Sequence, residues 1–264
     1  MRESETLRLL RTVANSDRRS RIVLMLAAQS RSLSELSEAL GSSPSNVLPQ
    51  VRKLEAAGLV RSERSAYSLT EFGRMVAELF RGFVEGLGVV EEHRAFWVEH
   101  DISGIPGHLL RRLHELSEAR VVTNPPESVY DPHREFVENV SSSRCIRGIS
   151  PVYHPTYPVM FVELARSGRE VCLILSESVL EKVRENNPGE LKEYLSFSNA
   201  RLYRIEDTVK LAMVVTDRYF SLSLYFRNGI YDTARDLVGF SEASLRWGRD
   251  LFEHYLQQAE RVED

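Results

Sequence analysis

Ser43, Ser45, Asn46, Gln50, Arg52 and Lys53 crowd into one short stretch, and Arg61 and Arg64 follow close behind. Hydroxyl and amide side chains exchange hydrogen bonds with base edges, and guanidinium and ammonium groups neutralise phosphates. The chemistry on offer is recognition of double-stranded DNA. Ser45, Asn46 and Gln50 are the residues for bases, and Ser43, Arg52, Lys53, Arg61 and Arg64 those for phosphates or the minor groove. An ordinary helical hairpin with a solvated polar face would use the same residue types.

Bond-making chemistry finds little support. Seven histidines and two cysteines show no CxxC, HxH or HExxH spacing, which removes the common metal-ligand arrangements. There is no glycine-rich nucleotide loop and no GxSxG elbow. Cys145 and Cys172 lie in apolar runs of strand length, where buried inert thiols are commoner than redox switches. No catalytic residue, metal or cofactor is expected.

The recognition stretch needs elements to hold it. Ser32 and Glu35 have capping-box spacing, Leu33, Leu36 and Leu40 share one helical face, and Gly41 ends that helix. Ser42 and Ser43 offer caps for a second helix with Pro44 at its first position. Its apolar stripe is Val47, Val51 and Leu54, opposite Ser45, Asn46, Pro49, Gln50 and Lys53. Pro49 leaves two readings open. A helix starting at Pro44 is kinked by an interior proline, whereas Asn46 as the cap puts Pro49 in the first turn. Gly58 stops the helix, Leu59 and Val60 begin a strand, Arg61 to Tyr67 make a basic tip, and Tyr67–Leu69 return. Upstream, Glu3–Ala14 reads as a helix, and Ser16 or Asp17 caps another over Arg18–Gln29. This order predicts a winged helix-turn-helix. Arg18, Arg19 and Arg21 either reach a phosphate backbone or form a solvated charge run.

A chain of 264 residues, 42% hydrophobic and 27% charged, has the length and composition of about two ordinary globular domains. It has no apolar run of membrane-spanning length, no signal peptide and two distant cysteines, so a cytoplasmic protein is expected. The net charge of −4 is uneven: up to Val76 there are twelve Arg and Lys against eight Asp and Glu, and beyond it 22 against 30. A basic module on an acidic body suits a protein that offers one face to a polyanion, although chance variation gives a similar excess.

Thr70 caps a long helix to about Arg94, in which Phe72, Val76, Leu79, Phe83, Leu87 and Val90 form a near-heptad seam. Homodimerisation through this seam is favoured over packing on the chain's own second domain, since symmetric DNA sites are read by symmetric dimers. From Trp97 the pattern alternates. Strands are expected at Arg120–Thr123, Arg144–Ile149, Arg169–Leu175, Ala200–Ile205, Leu211–Val215 and Tyr219–Phe226. Helices are expected at Gly107–Glu118, Pro132–Val140, Tyr157–Ser167, Val179–Glu185, Glu190–Leu195 and Phe240–Glu260. The fold class is therefore α/β, or α+β overall. Residues 1–70 form the DNA-binding domain, 71–96 a linker and dimerisation helix, and 97–264 an α/β sensor domain.

Nearly the whole chain resembles one archaeal family. The segments LPQVRKLEAAGLV, YSLTEFG, FWVEHDISGIP, IRGISPVYHP, SLSLYFRNGIYD and LRWGRDLFEHY are similar to the methanogenesis regulatory proteins tied to filament formation and quorum signalling. These are winged-helix transcription regulators. The resemblance implies promoter binding and a sensor domain similar to a degenerate phospholipase-D-like fold, which serves as an effector module in archaeal sugar-responsive regulators. That fold would raise phosphodiester hydrolysis, which needs His-x-Lys. His133 is followed by Arg134-Glu135 and His154 by Pro155-Thr156, and none of the four lysines sits two residues after a histidine. No cation then stands beside the nucleophile to hold the phosphoryl oxygens, so the chain is expected not to be an enzyme. The rivals are a degenerate phosphodiesterase and an adaptor whose winged helix contacts protein.

Ligands of open α/β sheets sit beyond the C-terminal ends of the strands. That rule selects Tyr153 and His154, Ser176 and Glu177, and Tyr225 and Arg227, with Trp97 and His100 closing over them. A small polar or anionic effector is expected there, held by Arg227 and His154. The plainer alternative is that these residues cap turns and fill a core.

Overall fold

Apolar side chains at helical spacing fold the start of the chain around a single core. The computed structural model describes residues 2–124 and 134–263, so His133 and the Pro132 start of a predicted helix lie outside the described residues. Two units, Met1–Val84 and Glu85–Asp264, each close on their own contacts.

The first unit contains α1 (Arg2–Ala14), α2 (Asp17–Ala28), β1 (Arg31–Ser32), α3 (Leu33–Ala39), α4 (Pro44–Ala56), β2 (Val60–Glu63) and β3 (Ala66–Leu69). Ser16 caps α2, accepting from the Arg19 amide. The Ser32–Glu35 capping box opens α3 in both directions. Gly41 and Gly58 take left-handed backbone after α3 and α4, as helix-ending glycines do. The three strands pair antiparallel in the order β1-β3-β2. This is a winged helix-turn-helix, with α4 in the recognition position and β2–β3 as the wing. Its core holds Ile22, Val23 and Leu26 of α2, Leu36 of α3, and Val47, Val51 and Leu54 of α4.

Helix α5 (Glu71–Glu92) follows, capped by the Thr70 hydroxyl, which accepts from the Gly73 amide at 2.8 Å. Its Ala77 and Phe80 belong to the first core, and Val89 to the core of the second unit. The two units divide within this helix, which is the expected linker, after Val84.

The second unit runs α6 (Arg94–Glu99), β4 (His100–Asp101), α7 (Gly107–Leu110), a 3-10 turn at Leu113–Leu116, β5 (Arg120–Thr123), α8 (Arg134–Ser141) and β6 (Cys145–Ser150). Next come α9 (Tyr157–Arg166), β7 (Glu170–Ser176), α10 (Glu177–Asn186), α11 (Pro188–Ser196), β8 (Ala200–Ile205), β9 (Leu211–Thr216), β10 (Phe220–Phe226), β11 (Arg235–Gly239), α12 (Glu242–Leu256) and β12 (Glu260–Arg261). The described strands form one mixed sheet, β12-β8-β7-β6-β9-β10-β11-β5, with β4 paired to β10. Neighbours β6, β7 and β8 are parallel, and β9, β10, β11 and β5 run on antiparallel. Strands β4, β11 and β12 are additions to the expected set, and the expected Gly107–Glu118 helix breaks into α7 and the 3-10 turn.

Alternation sorts the sheet into two faces. Leu211, Met213, Phe220, Leu222 and Leu224 pack under Trp247, Leu251 and Phe252 of α12. Ile146, Val171, Leu173, Leu202 and Val214 turn the other way, toward α8 to α11.

Two glycines test the packing argument. A Cβ on Gly73 would lie 1.9 Å from the Leu59 carbonyl oxygen, whereas one on Gly88, also in α5, would meet nothing within 4 Å. Urea unfolding is expected to show Gly73→Ala destabilising the winged-helix unit by about 2–4 kcal/mol. Gly88→Ala should be stabilising by about 0.5–1 kcal/mol through helix propensity.

Candidate functional site

Helix α4 begins at Pro44, so the interior-proline reading holds: Ser43 is the N-cap residue, and Pro49 sits inside the helix. Asn46 is therefore a first-turn residue with its side chain exposed. Ser43, Ser45, Asn46, Arg52 and Lys53 are exposed, and the Ser43 and Ser45 hydroxyls share a hydrogen bond of 2.9 Å. The exposed face of α4 thus gathers the residues expected to meet DNA.

Gln50 is half-buried, and it is held. Arg19 of α2 donates from Nη1 to Gln50 Oε1 at 3.0 Å, while its Nε donates to the Thr12 carbonyl of α1. The bond from Arg19 occupies the acceptor of the Gln50 amide, whose nitrogen carries only donors. Arg19, one of three arginines expected to face phosphate or water, is thereby a positioning residue. Its neighbours at 18 and 21 gave no hint that it alone turns inward.

The wing tip is a two-residue turn, Arg64 and Ser65, both with positive φ of 48° and 71°. Such backbone matches the twist of a hairpin. Arg61 lies along β2, its guanidinium 3.2 Å from Ser68 Oγ and 3.3 Å from Glu63. Both wing arginines are exposed.

The eight residues expected around an effector do not converge. His100 is buried, its Nδ1 2.6 Å from the Phe96 carbonyl and its Nε2 3.0 Å from Asp232 Oδ2. Asp232 also accepts from Arg235 Nε at 2.8 Å, and Arg235 reaches Glu99 at 2.7 Å. His100 thus ties the start of this unit to the turn after β10 and does not close over a ligand. Trp97 donates its indole N–H to the Val89 carbonyl. Ser176 caps α10, and Glu177 pairs with Arg204 at 2.8 Å. Tyr225 packs edge-on against Tyr231 with ring centres 5.2 Å apart, and Arg227 is exposed beyond the strand.

Tyr153 and His154 do line a cavity. It has a volume of about 320 Å³ and lies between the sheet and the helices α9 to α11. Tyr153 donates to Asn187 Oδ1 at 2.8 Å, and the Thr156 hydroxyl lies 2.8 Å from His154 Nδ1. The residues missed from sequence are Gly148, Ala212, Ser221, Ser223 and Asp236, which form its floor. Their only sequence signal is small side chains alternating with large ones on β10.

Reactive groups are quiet. Burial pushes the Cys172 thiol up to about 11 and raises that of Cys145. Among the described residues no group of three His, Cys, Asp or Glu is placed to hold a metal ion. No described helix is long and apolar enough to cross a membrane.

A winged helix-turn-helix joined to a mixed-sheet unit with a ligand-sized cavity defines a two-part winged-helix protein. Residues 7–87 match the family model "Methanogenesis regulatory protein FilR1, N-terminal domain", and residues 129–258 match "Methanogenesis regulatory protein FilR1, middle domain". The chain belongs to this family. It is 27% identical over 268 residues to the methanogenesis regulatory protein FilR1 of Methanothrix harundinacea (strain 6Ac), an alignment that takes in 100% of this chain and 60% of the relative's length. Among solved structures it is similar to the archaeal chromatin protein TrmBL2, with a TM-score of 0.44, 14% identity, and 91% of this chain and 92% of that one covered. HlyU from Vibrio cholerae N16961 is 30% identical over 30% of this chain and 89% of its own, with a TM-score of 0.27.

The His100–Asp232–Arg235 network carries a stability consequence. His100→Ala leaves a buried carboxylate short of a partner, and urea unfolding should show a loss of about 2–4 kcal/mol.

Proposed function

We propose that the protein is a transcriptional regulator that binds promoter DNA through the winged helix and senses a small effector through its second unit. The observation that carries this reading is the exposed face of α4, where Ser45, Asn46 and an anchored Gln50 stand beside Arg52 and Lys53. A helix presenting hydroxyls, amides and cations at its N-terminal half is suited to the major groove, and a basic wing to the neighbouring backbone. Membership of a family described as regulatory supports the reading. Gln50, presenting donors, would favour guanine O6 and N7 or thymine O4.

We assign the exposed stripe of α5 to a second copy of this chain. Phe72, Met75, Leu79 and Phe83 are 48%, 68%, 78% and 55% exposed. Large apolar residues in such a row mark an interface, and a two-fold dimer matches a symmetric operator.

Fluorescence anisotropy on a duplex from the gene's upstream region, over a salt series against a scrambled duplex, tests DNA binding. Affinity should fall steeply with salt, and Lys53→Ala should reduce the slope by about one. Asn46→Ala with Gln50→Ala should abolish the preference for the native duplex, and Arg19→Ala should weaken that preference while leaving the slope unchanged. No binding at low salt would overturn the promoter reading in favour of an adaptor. Light scattering should find a dimer that Leu79→Glu with Phe83→Glu converts to a monomer. A wild-type monomer would remove the α5 assignment.

A further inference from the structure

The sheet face beneath α9 to α11 is built to leave room. Gly148 of β6 stands opposite Val214 of β9, which stands opposite Ser221 of β10. In the next row Ala212 stands opposite Ser223. Four of these five floor positions carry a side chain no larger than serine, while Phe161, Val179, Val183 and Tyr194 line the helical side. The result is the cavity of about 320 Å³, which falls in the range of roughly 300–1,000 Å³ occupied by small-molecule sites.

One wall is aromatic. The Tyr157 ring, at the start of α9, has its centre 4.7 Å from that of His154, 5.6 Å from Phe136 and 6.0 Å from Phe161. All four line the cavity, and such a cluster offers ring faces and edges to a flat apolar body. The Tyr153 hydroxyl is engaged by Asn187, but the Tyr157 hydroxyl has no hydrogen-bond partner among the described residues. Burial raises the Tyr157 phenol above the ordinary tyrosine range, so it keeps its proton. A neutral hydroxyl in an apolar wall costs free energy until an acceptor reaches it.

The charged groups of the lining are already engaged. Asp232 accepts from Arg235 and pairs with His100, and Asp236 accepts from the Ser223 hydroxyl. Glu190 stands in the first turn of α11, where the helix dipole favours its charge. Among the described residues no Lys or Arg lines the cavity. A carboxylate ligand would leave water for a place without a cation, and an ammonium would have to draw a carboxylate from its present surroundings. An uncharged ligand meets neither cost. We propose that this cavity is the effector site of the second unit and takes a small uncharged molecule with a ring-containing apolar body and one acceptor oxygen, which receives the Tyr157 hydroxyl. This rests on the sensor reading above and replaces the anionic effector expected from Arg227 and His154. Arg227 lies outside the cavity, and His154 belongs to its aromatic wall. The body packs between that wall and Val179 and Val183.

Isothermal titration of the full chain with shape-matched probes tests this. Benzylacetone, a neutral ketone, should bind once per chain. It should bind at least about tenfold more tightly than hydrocinnamate or phenethylamine, which carry a carboxylate or an ammonium near the place of the carbonyl. Tyr157→Phe, which keeps the ring and removes only the hydroxyl, should weaken benzylacetone binding by about fivefold. Ala212→Phe should abolish it by filling the floor. A melting curve reports whether either variant folds, and Tyr157→Phe decides the matter if Ala212→Phe does not. The proposal is overturned if either charged probe binds as tightly as the ketone, if no probe binds at millimolar concentration, or if Tyr157→Phe leaves the ketone's affinity unchanged. The titration needs no DNA, so its failure beside intact duplex binding removes only this ligand site. Ketone binding without duplex binding removes only the promoter reading.

Discussion

Strands β6, β9 and β10 are covered on both sides, and that requirement shapes the second unit. Leu211, Met213 and Phe220 demand a close-packed partner, and α12 supplies one in Trp247, Leu251 and Phe252. The contact is tight enough that a Cβ at Gly248 would lie 2.4 Å from the Phe220 ring. The opposite face is set by small residues, so the same sheet is solid on one side and hollow on the other. An apolar core fills its voids unless the backbone register forbids it. Here the register aligns glycine, alanine and serine across neighbouring strands, and helices α9 to α11 cannot sink to meet them.

The first unit follows a different logic, in which a buried stripe leaves its opposite side open to solvent. Val47, Val51 and Leu54 fix the rotation of α4, and that rotation alone turns Ser45, Asn46 and Lys53 outward. Arg19 then does for one side chain what the core does for the helix. It ties α1, α2 and α4 together at a point where a guanidinium can satisfy several acceptors at once.

Much of this was legible beforehand. Periodicity and caps located every helix of the winged-helix unit, because Ser32–Glu35, Gly41 and Gly58 act locally. Strands Arg120–Thr123 and Ala200–Ile205 have the expected bounds, the second because Ala200, Leu202 and Ile205 are buried between exposed arginines. Strand β11 escaped because Asp236 interrupts it, a polar residue whose partner, Ser223, is on another strand. Two-residue pairings such as β4 and β12 are too short to show a period. Strand ends point to an effector site, yet Ser176 and Glu177 there are engaged by a helix cap and an ion pair. The hollow depends on which residues of β6, β9 and β10 stand abreast, and register across strands leaves no trace in one sequence.

The wing turn has a consequence of its own. Arg64 and Ser65 both hold left-handed backbone, a conformation that Asn-Gly adopts at far less strain. A hairpin shaped only by stability would drift toward that pair. This one keeps a guanidinium at its outermost point and tolerates a standing penalty in the folded state. An Asn-Gly pair at this tip would relieve that strain and make the hairpin more robust, and it would take the guanidinium away from the end of the wing.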